Sequence, residues 1–126
     1  MEEFNTWLQK AQEDLKWTQH NLNGSIWYGA CFTAQQVAEK SLKAYLLFHK
    51  IPLRKIHDLS ALLEECIQIN REFETLHSSV STLASYYITT RYPVYEDLAQ
   101  FSKDQAHSAL QEATSIFSFV SKQIRQ

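Results

Sequence analysis

Three observations predict an all-α fold, a five-helix up-and-down antiparallel bundle. Two glycines and two prolines punctuate 126 residues, so long regular elements must dominate over turns. Apolar residues make up 44% of the chain and recur at steps of three and four rather than two. Such a stripe must be buried against other helices, and four long helices with one shorter one make an antiparallel bundle.

The first helix reads from about Glu3 to Asn21, with Phe4, Leu8, Ala11, Leu15, Thr18 and Leu22 on one side. It stops at Asn23-Gly24, a favourable C-terminal pair. The second runs from about Ile26 to Phe48, with Cys31, Ala34, Val37, Ala38, Leu42, Tyr45 and Leu46 on one side and Pro52 in the connection that follows. Asp58 can cap a third helix through about Asn70, burying Leu59, Leu62, Leu63, Cys66 and Ile67. A fourth, about Glu72 to Thr89, carries Phe73, Leu76, Val80, Leu83 and Tyr87 before Pro93 prevents continuation. The last begins after Ser102, where Ser102 and Gln105 have capping-box spacing. Its stripe of Ala106, Ala109, Leu110, Ala113, Ile116, Phe117, Val120 and Ile124 is the clearest in the chain.

The length suits one domain over residues 1–126, with no repeat or low-complexity tract to divide it. No apolar run approaches the ~18 residues that span a bilayer, and Met1-Glu2-Glu3-Phe4 lacks the basic and apolar regions of a secretory signal, so a cytoplasmic protein without membrane contact is expected. Cys31 and Cys66 fall on separate helices without Cys-x-x-Cys spacing and read as small buried apolar residues.

Net charge is −2, but its distribution is uneven. Lys40, Lys43, Lys50, Arg54 and Lys55 precede His57 with no acid among them, whereas Asp58 through Asp97 hold seven acids against Arg71 and Arg91. This layout either draws a phosphate to one side or complements the end of a helix.

Catalytic motifs are mostly missing. The five histidines include no His-Glu-x-x-His, there is no Gly-rich phosphate loop, and no Gly-x-Ser-x-Gly elbow occurs, so neither a metal nor a cofactor is expected. What stands out is the polar edge of the second helix. Gln36, Lys40 and Lys43 lie four and three residues apart, on one flank. Such a row can hold a phosphate, or it can be a solvent face with Glu39 and Lys43 paired at i,i+4, worth ~0.3–0.5 kcal/mol.

The order of Trp7, Ala11, Asp14-Leu15, then Gln35-Gln36-x-Ala38-Glu39-Lys40-x-Leu42-Lys43-Ala44, then His57-Asp58-Leu59, then Thr90-Arg91-Tyr92-Pro93 resembles the HEPN domain family. The resemblance spans nearly the whole chain. It implies a five-helix bundle that commonly forms a homodimer, and one of two activities. Some members are metal-independent ribonucleases, often toxins restrained by a nucleotidyltransferase partner, and rely on Arg-x(4-6)-His near the start of the last long helix. Others lack that motif and bind nucleotides or act as interaction modules.

Here the arginine in that region is Arg91, and the next histidine is His107, too far away for the motif. Arg71 and His77 match the spacing but fall between the third and fourth helices, where the pair is not expected. Metal-free RNA cleavage needs a proton carrier that works near neutrality together with a cation, and Arg91 has no such partner. The resemblance therefore implies no catalytic residue. It points to a nucleotide- or RNA-binding or interaction module, with a homodimer and a nucleotidyltransferase as candidate partners. Gln36, Lys40, Lys43, His57, Arg91 and Tyr92 are the candidate ligand-binding residues. In that group Arg91 suits bidentate phosphate contact and Tyr92 offers a stacking ring. A ribonuclease toxin and a purely structural dimeric module remain as alternatives.

Overall fold

A computed structural model describes residues 2–53, 58–86 and 101–125. In chain order these form α1 (Glu3–Asn23), α2 (Trp27–Phe48), α3 (Leu59–Ile69), a 3-10 helix (Arg71–Leu76), α4 (His77–Ala84) and α5 (Lys103–Arg125). The chain is an all-α bundle, and no described helix is long and apolar enough to cross a membrane.

Local chemistry places most boundaries. The Asp58 carboxylate accepts from the backbone N–H groups of Ser60 and Ala61 at 3.0 and 3.3 Å, capping α3 as its position implies. Ser102 and Gln105 form the reciprocal capping box at the start of α5, at 2.8 and 3.1 Å.

The end of α1 differs from its sequence reading. Gly24 has φ −87°, and the left-handed residue is Ser25 at φ 60°. Ser25 N–H donates to Leu22 O and Ile26 N–H to Asn21 O, a Schellman closure with serine at the usual glycine position. α2 closes in the same way: Lys50 has φ 61°, its N–H reaches Leu47 O, and Ile51 N–H reaches Leu46 O.

The fourth helix also departs from the reading. The 3-10 helix comes first, started by Asn70, whose side-chain oxygen accepts from Glu72 N–H at 3.0 Å. Phe73 and Leu76 are both buried and three residues apart, which is the repeat of a 3-10 turn. α4 then carries Val80 and Leu83 into the core. The part read as helix beyond Tyr86, and the loop read from Thr90 onward, lie outside the described residues.

α2 is the central element. From Ala30 to Leu46 only Phe32, Gln36 and Lys40 escape full burial, so the one-sided stripe read from sequence understates its contacts. α1 lies antiparallel on it, since Trp7 meets Lys43 near one end and Asn21 meets Thr33 near the other. α5 begins beside the start of α2, where Phe101 contacts Tyr28, and reaches the far end, where Phe119 meets Phe73 edge to face, and Phe73 itself contacts Tyr45. α2 and α5 thus run the same way, while α4 runs against both and ends near Phe101 through Tyr86.

Candidate functional site

The polar edge of α2 faces α1. Lys40 Nζ donates to Asp14 Oδ2 at 2.6 Å, with Lys40 partly exposed and Asp14 nearly buried. Lys43 Nζ donates to Glu39 Oε2 at 3.1 Å with side-chain exposures of 6% and 9%, and it sits 5.6 Å from the Trp7 ring centroid. The Glu39–Lys43 pair is therefore an interior ion pair and not a solvent face. Gln36 is partly exposed one turn before Lys40.

Below these pairs the seam stays polar. Thr33 Oγ1 donates to Gly29 O at 2.8 Å and accepts from Asn21 Nδ2 at 3.5 Å, and Thr18 Oγ1 shares its one proton between Asp14 O and Thr33 Oγ1, each 2.8 Å away. Helical spacing places Thr18 in an apolar stripe and gives no signal for Asn21 or Thr33. No local signal marks these pairings, because each depends on how two helices meet and not on spacing within one of them.

The structure thus brings Gln36, Lys40 and Lys43 onto the α1–α2 seam, each lysine facing a carboxylate. His57, Arg91 and Tyr92 lie outside the described residues. Arg71 and His77 turn to different carboxylates, Arg71 to Glu74 at 3.5 Å and His77 to Glu64 at 3.9 Å, all four being well exposed. Among the described residues no group of three or more His, Cys, Asp or Glu could hold a metal ion. A shallow groove of about 300 Å³ between α1 and α5 is lined by Gln12, Leu15, Lys16, Gln19, Leu110 and Thr114, none of them a candidate ligand-binding residue.

Both thiols are buried, and that burial pushes Cys31 and Cys66 from 9.0 up to about 12. Burial also raises Tyr45, against a hydrogen bond from Asn70 that lowers it, and raises Tyr86. Folded values above unfolded ones mean stability that is fully present below pH 9 and drains as pH climbs from 9 toward 12. A flat melting temperature from neutrality to about pH 8.5, then a steady fall, is expected. Native protein at pH 8 should resist a thiol-labelling disulfide reagent until denatured, and rapid labelling of the folded chain would contradict this burial.

The family model described as HEPN domain matches residues 4–124. A search of the curated proteins returns no match. Among solved structures, ST0689, described as an archaeal HEPN homologue, shares 28% identity over 98% of this chain and 99% of its own, with a TM-score of 0.80. TT1696 from Thermus thermophilus shares 30% identity over 97% of this chain and 98% of its own, with a TM-score of 0.82.

Proposed function

The chain belongs to the HEPN domain family, and on that premise we propose that it is a non-catalytic interaction module, one that pairs with a second copy of itself and docks a nucleotidyltransferase partner. The observation that carries this reading is where charge and apolar surface lie. Lys40 and Lys43 face carboxylates of their own chain, while Trp17, Ile26 and Tyr28 are exposed to 51%, 54% and 41%. These three surround the turn from α1 to α2: Trp17 two turns before it, Ile26 within it and Tyr28 just after. Large apolar and aromatic side chains kept in water are the composition of a protein-binding surface.

Light scattering on the purified chain at micromolar concentration should give a dimer. Trp17→Glu with Ile26→Asp should give a monomer of unchanged helical content. A monomeric natural chain would overturn self-pairing.

Nucleotide or RNA binding is the second reading, favoured by the Arg91-Tyr92-Pro93 sequence. In that sequence a guanidinium suited to phosphate stands next to a ring on which a base can stack. A nucleoside triphosphate should then raise the melting temperature, and Arg91→Ala should abolish the rise. A ribonuclease fits less well because no histidine follows Arg91 at the motif spacing. RNA left intact by the protein in chelator would agree with that.

A further inference from the structure

Resting on the self-pairing proposed above, we infer how two copies meet: α1 packs antiparallel on the α1 of a second copy with Trp17 on the two-fold axis, so that Glu13 faces the partner's His20 and His20 faces the partner's Glu13. Residues three and four apart share a helix face, and Lys10, Glu13, Trp17, His20 and the C-cap Gly24 form such a row along α1. All five are exposed. The row lies outside the faces that α1 turns to its own chain, since Asp14 and Asn21 meet α2 while Gln12, Leu15, Lys16 and Gln19 border α5. The turn after α1 extends it. A Cβ added at Gly24 would stand 3.7 Å from Ile26 Cδ1, so the Ile26 side chain lies against Gly24. Trp17 and Ile26, 51% and 54% exposed, therefore belong to one continuous face.

The order of charges along the row selects both the occupant and its orientation. A two-fold contact presents the same patch from both sides, so the patch must complement itself. In a parallel α1 pair Glu13 would meet the partner's Glu13 and Lys10 the partner's Lys10, which sets like charges together. In the antiparallel pair centred on Trp17, a residue before Trp17 meets the one equally far after it. Glu13, four before, then falls within one residue of the partner's His20, three after, whose ring N–H can donate to the carboxylate. Lys10, seven before, meets the partner's Gly24, seven after, where the end of α1 presents the negative end of its dipole. Each charge in the row thus meets its complement, and each contact occurs twice. The two indole rings on the axis form the apolar centre, with the charged groups at its rim.

Disulfide crosslinking tests the arrangement. Cys31 and Cys66 are buried, so cysteines added at the surface react without background. The variant carrying both Glu13→Cys and His20→Cys should oxidise to a covalent dimer. Neither single substitution should do so, because equivalent positions on the two helices stand about 9–12 Å apart along the axis, beyond disulfide reach. Within one helix the two positions are about 10 Å apart and cannot bond to each other. By light scattering over a range of concentrations, His20→Glu should weaken the dimer about tenfold, and adding Glu13→Lys should restore it. Both positions are exposed, so each variant should keep its helical content. A dimer that crosslinks no better in the double variant than in the single ones, or that His20→Glu leaves unchanged, overturns this arrangement while self-pairing stands. A monomeric natural chain removes both.

Discussion

Lys43→Met should lower the free energy of unfolding by about 3 kcal/mol, the cost typical of breaking an ion pair that water does not reach. Lys43 and Glu39 are 6% and 9% exposed, so screening by solvent is slight. Removing the ammonium leaves the Glu39 carboxylate without the charge 3.1 Å away, and the Trp7 ring without the cation over its face. For a chain of this size the melting temperature should fall by roughly 10 °C. Glu39→Leu combined with Lys43→Met should recover most of the loss, because the penalty belongs to the charge left behind. Added salt should change the cost little, whereas the Arg71–Glu74 pair, 90% and 50% exposed, should contribute almost nothing at any salt. A loss below about 1 kcal/mol for Lys43→Met would mean that water reaches the pair.

The contrast between these two pairs shows where sequence reading ends. Glu39–Lys43 and Arg71–Glu74 look alike as helical charge pairs, and only the packing of α1 over α2 separates them. Asp58 and the Ser102–Gln105 box were legible because each cap is closed by residues within three positions. Asp14 and Lys40 are 26 positions apart, so their pairing depends on how two helices meet. The turn after α1 was legible as a stop but not in its detail, since the left-handed position falls on Ser25 and not on the neighbouring glycine.

Periodicity gives two helices for the α3–α4 region, and the intervening 3-10 segment escapes it for a physical reason. Over a single turn, Phe73 and Leu76 fit a period of 3.0 as well as one of 3.6. The decision rests on long-range contacts. Asn70 Nδ2 donates to Gln123 Oε1 at 3.0 Å and Gln123 Nε2 donates to Glu72 Oε2 at 3.1 Å, tying the segment to the end of α5. The candidate site follows the same logic. Gln36, Lys40 and Lys43 lie on one flank as their spacing implies, and Glu39 is within reach of Lys43 at i,i+4, but the Asp14 partner of Lys40 and the burial of the Glu39–Lys43 pair belong to tertiary structure.

Phe73→Ala should be the most damaging single change in that region, at about 3–5 kcal/mol. The ring is fully buried, 4.4 Å from the Tyr45 ring and 4.9 Å from that of Phe119, centroid to centroid. It therefore joins α2, the 3-10 helix and α5 at one point. Truncation leaves a cavity among residues already fixed by their neighbours, and it also removes two ring contacts of roughly 0.5–1.5 kcal/mol each. Against a typical total of about 5–15 kcal/mol the loss is a large fraction. Phe73→Leu refills much of the volume and should cost clearly less, separating apolar fill from ring geometry. Hydrogen exchange adds a local readout: amides of Arg71–Leu76 should lose protection beyond the global change, because Phe73 and Leu76 are the two side chains that hold this short helix in the core. Denaturant titration of Phe73→Ala that gives a loss under about 1.5 kcal/mol would show that the bundle end can collapse around the gap, and the three-way junction would not be a fixed one.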